Sequence, residues 1–317
     1  MNKCKLSVII PAYNTDKYLE QTLNVLSAQS LKEYEIIIIN DNSSDSTENI
    51  VLEYQKNIGN IRYFKNVSNQ GPGPSRNIGI NQISGEYVTF LDSDDWPDIF
   101  AYETAVDILD SNPNSDFVIW GVKSEYNNKS SSHIRNDYKS YTAINKELAM
   151  SLLCNTYALD IAISAYLGNK IFRSDFIKRN NILFSDFLFE DVAFSFETIA
   201  RAKQILLLPN IYTHYYQRSR SIVHSFTKTH ITDMFKSLTY ISELVHNSFP
   251  QYKKDFDSLV EKCSKTLFRL MYDNIDDPIQ INDLLSFYFD KLFEFCSIKK
   301  ILTYLDPQRV KNILLNN

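Results

Sequence analysis

Phe90-Leu91-Asp92-Ser93-Asp94-Asp95-Trp96 ends an apolar run and replaces it, within four residues, by three carboxylates. Just upstream, Glu86-Tyr87-Val88-Thr89-Phe90-Leu91 has the β-branched and aromatic content of a buried strand launched from Ser84-Gly85. Pro97 lacks the N–H that a continuing ladder needs. Carboxylates at the carboxyl end of a strand stand where open α/β sheets bind ligands. Crowded carboxylates repel unless a cation lies between them. A hard divalent ion, held by one or two of them and completed by a substrate's phosphates, relieves that repulsion. The plainer reading is an acidic turn capping the next helix, with Asp95 or Asp98 as N-cap.

Working outward, Leu6-Ser7-Val8-Ile9-Ile10 and Glu35-Ile36-Ile37-Ile38-Ile39 have the near-continuous apolar character of strands buried on both faces. The first stops at Pro11-Ala12-Tyr13-Asn14, and a helix is expected from about Asp16, with Tyr18, Leu19, Leu23 and Leu26 inward. The second stops at Asn40-Asp41-Asn42-Ser43-Ser44-Asp45, before a helix from about Ser46 to Lys56. Ile61–Phe64 reads as a third strand. Asn69-Gln70-Gly71-Pro72-Gly73-Pro74-Ser75-Arg76 reads as a loop leading into a helix with Ile78, Ile80 and Ile83. After the acidic turn a helix near Ile99–Leu109 precedes a strand at Asp116–Gly121. Alternation of this kind predicts a doubly wound, mostly parallel α/β sheet. Asn127–Ser132 reads as a hairpin tip or loop, and Lys146–Leu153 as a helix. Beyond about Phe226, three stretches carry apolar residues on one helical face: Ile231 to Val245, Phe256 to Met271, and Leu284 to Phe293.

Several functional classes are excluded. The first strand is not followed by G-x-G-x-x-G, Gly71-Pro72-Gly73 has Arg76 where a third glycine belongs, and no Walker loop exists. The 317 residues carry a net charge of −5 and a pI near 5.6, without the basic stripe of a nucleic-acid binder. Cys4, Cys154, Cys263 and Cys296 form no CxxC pair, which excludes the usual zinc spacings and predicts reduced thiols. Without a long apolar run or a signal-peptide core, the chain reads as soluble and cytoplasmic.

Taken in order, Ser7-Val8-Ile9-Ile10-Pro11-Ala12-Tyr13-Asn14, Ile39-Asn40-Asp41-Asn42-Ser43-Ser44-Asp45-Ser46-Thr47, Ser75-Arg76-Asn77-Ile78-Gly79, Leu91-Asp92-Ser93-Asp94-Asp95 and Glu190-Asp191 resemble glycosyltransferase family 2, inverting enzymes of the GT-A fold. Gly168–Phe172 and Tyr215 through Ile222 are similar to the branch that builds bacterial surface polysaccharides and decorates teichoic acids. The resemblance implies a GT-A domain at 1–225, with a nucleotide-sugar half (1–97) and an acceptor half (98–225), followed by a helical domain at 226–317. It implies metal-dependent transfer of a sugar from a UDP-sugar to an acceptor hydroxyl, with Mn²⁺ or Mg²⁺. The alternatives are a glycosyltransferase-like scaffold without turnover and, more distantly, a nucleotidyltransferase.

By the same resemblance, Pro11, Ala12, Tyr13 and Asn14 line the uracil pocket, Asp41 accepts the uracil N–H, and Gly71 and Arg76 approach the nucleotide or diphosphate. Asp94 and Asp92 are the expected metal ligands, with Ser93 and Asp95 also at the donor. Lys170, Arg218 and Ser221 are candidates for closing over the diphosphate; His214 and His224 are either a third metal ligand or structural. Asp45 and Ser46 read as helix caps. Asp191 is the expected general base, with Glu190 orienting the acceptor; an N-cap role is the competing reading. Expected partners are a UDP-sugar and a glycan, lipid-linked or protein-linked acceptor, and no nucleic acid. The surplus of Phe287, Tyr288, Phe289, Leu292, Phe293 and Phe295 points to internal packing, to a homo-oligomer, or to peripheral docking at the inner face of a membrane.

Overall fold

A computed structural model describes residues 4–126, 129–132, 141–154, 163–216 and 226–295. The chain divides into two compact units, Met1–Arg218 and Ser219–Asn317. In the first, β1 (Leu6–Ala12) and β2 (Tyr34–Asn40) are buried at every position, as their apolar runs require. With β3 (Ile61–Lys65) and β4 (Tyr87–Phe90) they form the parallel part of one sheet, in the order β3-β2-β1-β4. The sheet continues through β9 (Lys170–Arg173), β6 (Phe117–Tyr126), β10 (Ile205–Tyr216) and β5 (Trp96–Pro97). β7 (Lys129–Ser132) and β8 (Thr142–Ile144) add to β6 and β10. β6 and β10 run parallel, and β9 is antiparallel to both its neighbours. The expected mostly parallel α/β sheet is therefore present. β9 as the bridging strand and the full length of β10 go beyond the sequence reading.

What aims the acidic turn is the seating of β4. Ile9 pairs with Phe90, and the Leu91 amide still donates to the Ile9 carbonyl at 3.0 Å, so the chain leaves the sheet at Asp92. At the other end, the buried Glu35 carboxylate accepts the Ser7 and Ser84 hydroxyls at 2.6 and 2.7 Å and an Arg62 N–H at 3.0 Å. Burial raises the Glu35 pKa, but these bonds outweigh it and hold the group below its ordinary value.

The helices α1 (Leu19–Ser27), α2 (Thr47–Asn57) and α4 (Ala101–Ser111) lie close to the expected spans; α1 starts later, after a turn at Thr15–Tyr18. α3 (Pro72–Gln82) begins inside the stretch expected as loop. Its prolines occupy the first turn, where a missing N–H costs no intrahelical bond, and Gly71 supplies the positive φ of +89° at the entry. α5 (Lys146–Cys154), α6 (Ser174–Arg179) and α7 (Glu190–Arg201) complete this unit.

The second unit holds α8 (Lys228–Asn247), α9 (Lys253–Asn274) and α10 (Pro278–Phe295). Thr227 and His230 form a reciprocal capping box at the start of α8. Most residues of the expected faces are buried, Leu244 and Leu285 only partly, and Tyr288 meets Phe235 and Phe268 at ring distances of 5.7 and 4.7 Å. Of the aromatic surplus, Tyr288 and Leu292 are core, whereas Phe293 is 51% exposed. Among the described residues no helix is long and apolar enough to cross a membrane.

Gly79 tests the α3–β1 contact. A Cβ there would lie 2.5 Å from Ile9 Cγ2, on a β-branched side chain with little freedom to turn away. Gly79→Ala gains about 1 kcal/mol of helix propensity and loses about 1–3 kcal/mol to overpacking. A fall of a few degrees in Tm is expected by thermal denaturation. A rise in Tm would show that the contact yields.

Candidate active site

The carboxyl ends of β1, β2 and β4 open onto one edge, and the loops there are tied to each other. Asp41 is 2% exposed and holds the loop that starts α3: its carboxylate accepts the Gly71 amide at 2.8 Å, the Gln70 amide at 3.0 Å and Asn66 Nδ2 at 2.7 Å. Asn14 accepts the Ser44 amide at 2.8 Å, and its own amide donates to the Ser43 hydroxyl at 3.0 Å. Asn14 and Asn42 both take positive φ, +46° and +62°, which asparagine tolerates better than most residues. Pro11 and Ala12 are buried in β1, and Tyr13 beyond them is 49% exposed at this edge. Asp45 accepts the Thr47 amide at 3.0 Å and the Asp16 amide at 3.0 Å, so it joins two loops besides starting α2, and Ser46 makes no side-chain cap.

The Asp92–Asp95 turn is divided between an inner and an outer half. Asp95 is completely buried: one oxygen accepts the Tyr166 hydroxyl at 2.6 Å and the other the Tyr216 amide at 2.8 Å. Burial, then the negative charges of Asp94 and Asp92, push its pKa well above the ordinary carboxylate value. Ser93 is buried too, bonded to the Thr15 hydroxyl at 3.1 Å. Asp92 and Asp94 are only partly buried. The helix-cap reading fails, because Phe100 holds the N-cap of α4 without a side-chain bond. Asp98 instead meets His214 Nε2 at 2.9 Å, while Nδ1 meets Glu125 at 2.9 Å and the ring stacks on Trp96. His214 is thus committed to two carboxylates and a ring.

Glu190 and Asp191 open α7, directly after Phe189 in the left-handed conformation at φ +63°. Phe189 holds the N-cap position, which leaves the two carboxylates in the first turn, where the helix dipole favours negative charge. Arg76 joins this turn to the acidic one: Nη1 donates to Glu190 at 2.5 Å and Nη2 to Asp92 at 2.7 Å. Burial first, then the charge of Glu190, push Asp191 up to about 7, against the lowering influence of Arg76. Lys170 is 1% exposed and burial brings it down to about 7, while the negative charge of Asp191 works the other way. Its ammonium donates to the carbonyls of Ser164 and Tyr166 and to Asn169 Oδ1. The structure therefore gathers Asp92, Asp94, Asp95, Arg76, Glu190, Asp191 and Lys170 around one region. Arg218, Ser221 and His224 lie outside the described residues.

Sequence reasoning passed over Tyr166, Phe184, Asn66 and Gln70, which hold Asp95, Arg76 and Asp41. In the fold a Cβ on Gly168 would fall 2.2 Å from the Tyr166 hydroxyl, a close approach that nothing along the chain announces.

The family model for Glycosyl transferase family 2 matches residues 7–166, half of the chain. A Campylobacter jejuni GalNAc(5)-diNAcBac-PP-undecaprenol beta-1,3-glucosyltransferase is 47% identical over 92 residues, covering 29% of this chain and 30% of that protein. The Staphylococcus aureus poly(ribitol-phosphate) beta-N-acetylglucosaminyltransferase TarS is 29% identical over 227 residues, covering 69% of this chain and 36% of TarS. The chain thus spans about a third of the length of these curated relatives. Among solved structures, S. aureus TarS 1-349 in complex with UDP-GlcNAc superposes with a TM-score of 0.63 at 19% identity, covering 90% of this chain and 89% of the other. A Pyrobaculum calidifontis mannosyltransferase in complex with GDP-Man and Mn2+ gives 0.58 at 13% identity, covering 99% and 88%. At these identities the likeness establishes the fold.

The Asp41 network predicts its own failure. Asp41→Asn turns one acceptor oxygen into a donor facing backbone N–H groups. Unpairing those partly buried donors costs up to about 1–3 kcal/mol. Denaturant unfolding should show that loss, and limited proteolysis should cut faster near Gly71. Unchanged stability would mean the loop is held by other contacts.

Proposed function

From a chain that belongs to glycosyl transferase family 2, we propose a metal-dependent inverting glycosyltransferase that moves a sugar from a UDP-sugar to an acceptor hydroxyl. The observation that carries this reading is the placement of Asp191 on α7, one guanidinium away from the Asp92–Asp95 turn. The donor would lie over the edge formed by Pro11, Ala12, Tyr13, Asn14 and the Gly71 loop, with the exposed Tyr13 ring available for stacking. Among the described residues no three His, Cys, Asp or Glu side chains gather into a metal cage. Two partly buried carboxylates, with the remaining positions left to phosphates, suit Mg²⁺ or Mn²⁺ well. Asp94 and Asp92 would hold that ion. When bound, it supplies Lewis acidity toward the departing diphosphate.

The acceptor hydroxyl attacks the anomeric carbon as the bond to the diphosphate oxygen breaks, and its proton passes to an Asp191 oxygen. An Asp191 pKa near 7 suits a base working at neutral pH, because the ionised form is still present and still basic. An acceptor hydroxyl on a surface glycan or on its lipid-linked precursor is supported by relatives named for GalNAc(5)-diNAcBac-PP-undecaprenol and for poly(ribitol-phosphate). Donor choice is wider, since the relatives include glucosyl-, N-acetylglucosaminyl- and galactosyltransferases.

The experiment is UDP release from a panel of UDP-sugars with Mn²⁺ and candidate acceptors. Asp191→Asn keeps the shape and removes the base, so kcat should fall by about two to four orders of magnitude, with UDP-sugar affinity little changed. Asp94→Ala should instead abolish the metal dependence of donor binding. Near-normal turnover in Asp191→Asn, with loss in Glu190→Gln, would move the base to Glu190.

A further inference from the structure

We infer that Arg76 is a positioning residue, a buried clamp that ties Asp92 to Glu190 and so fixes the first turn of α7, with Asp191 on it, against the acidic turn. The inference rests on reading Asp191 as the base, and it replaces the expectation that Arg76 meets the diphosphate. Its side chain is 6% exposed, and each end of the guanidinium fork already holds a carboxylate, at 2.5 and 2.7 Å. Nε is buried without a hydrogen-bond partner among the described residues. The guanidinium carbon lies 5.3 Å from the centroid of the Phe184 ring, which stacks on Phe194 of α7 at 3.9 Å and 3°. α7 is therefore gripped twice, through Glu190 and through Phe194.

Two further features show that this contact allows little slack. One helical turn before Arg76, a Cβ on Gly73 would meet the Ser185 carbonyl oxygen at 2.0 Å and Glu190 Cγ at 3.4 Å. And Phe189, immediately before Glu190, is kept at a positive φ that a bulky residue adopts only where its surroundings over-determine it.

The clamp also sets the field at the base. Asp191 faces Glu190 on α7, Asp92 after β4, Arg76 on α3, Lys170 on β9 and the Tyr215 hydroxyl on β10. Glu190 and Asp92 favour its protonated form and Arg76 opposes them. Loss of the guanidinium charge moves the ionisation of Asp191 to higher pH.

The test uses full-length Arg76→Gln and Arg76→Lys, with UDP affinity by calorimetry, kcat and donor KM by UDP release, and the Asp191 carboxyl titration followed by NMR. For Arg76→Gln the expected result is a UDP Kd within about twofold of the parent and a kcat about 100-fold lower, the scale of a misplaced reacting group. The acidic limb of the pH–rate profile and the NMR titration should both move to higher pH. Arg76→Lys keeps the charge but cannot fork between two carboxylates; its titration should stay near the parent's while kcat still falls. A tenfold or larger loss of UDP affinity with the titration unmoved would overturn the clamp and make Arg76 a diphosphate ligand. If Arg76→Gln does not fold, the kcat and UDP affinity of Arg76→Lys decide alone. Failure of the base reading shows separately, as near-normal turnover in Asp191→Asn, and the NMR titration still reads the effect of Arg76.

Discussion

Everything at this edge depends on how repulsion among five carboxylates is managed. Asp92, Asp94 and Asp95 crowd one turn, and Glu190 and Asp191 another, with a single buried guanidinium between them. Each carboxylate meets the problem differently. Asp95 is withdrawn from water and its pKa rises, although its bonds to Tyr166 and the Tyr216 amide work against that rise. Asp92 and Glu190 take the two ends of Arg76. Asp191 has the opposing charge of Arg76 and a hydrogen bond from the Val192 amide, and burial still pushes it to about 7. A buried ion pair of this kind is weak evidence for stability, because desolvation offsets much of its Coulomb gain. What it delivers is placement: two segments 114 residues apart in sequence are held in one geometry.

The parts of this arrangement that were legible in the sequence are those carried by local pattern. β1, β2 and β4 declare themselves by apolar runs that stop on polar loops. The start of α3 was not legible, since Pro72, Gly73 and Pro74 are turn formers by composition and become a first helical turn only because Gly71 supplies the entry. β9 was hidden for another reason. Four residues antiparallel to both neighbours have no local signature, and their place is set by Thr89 bonding the Lys170 carbonyl and by the tilted contact of the Phe117 and Phe172 rings at 4.9 Å.

Among the site residues, what each carboxylate does depends on partners far away in sequence. Asp41 and Asp95 look equally available in the chain, yet in the fold both are inward-facing acceptors that hold loops together. Lys170 reads as a free cation and is spent on carbonyls of its own segment. Burial decides these cases, and burial is a tertiary property. The residues on which the reaction reading leans hardest, Asp94 and Asp191, are the ones for which order along the chain was already informative, because each follows directly on a recognisable strand or aromatic stretch.

Burial of Asp191 and Lys170 also has a thermodynamic consequence. Asp191 has its pKa raised in the fold from an ordinary 3.8 to about 7. Its contribution to stability is therefore full below 3.8 and is lost as pH rises through about 7. Lys170 has its pKa lowered from 10.5 to about 7. Its contribution is full above 10.5 and is lost as pH falls through about 7. The two linkages run in opposite directions and meet near neutrality: between 3.8 and 7 the folded state holds a proton that the unfolded state has released, and between 7 and 10.5 it lacks one that the unfolded state keeps. The pair therefore makes the fold least stable near pH 7, where a base of pKa about 7 is most useful. Denaturant unfolding of the parent across pH 5 to 9 should show a minimum near 7, and Lys170→Met should remove its alkaline side. A curve flat from pH 5 to 9 would mean that the two groups exchange a proton and stay an ion pair in the fold, which then binds as many protons as the unfolded chain. The site would then be stabilised by the same contact that is expected to weaken it.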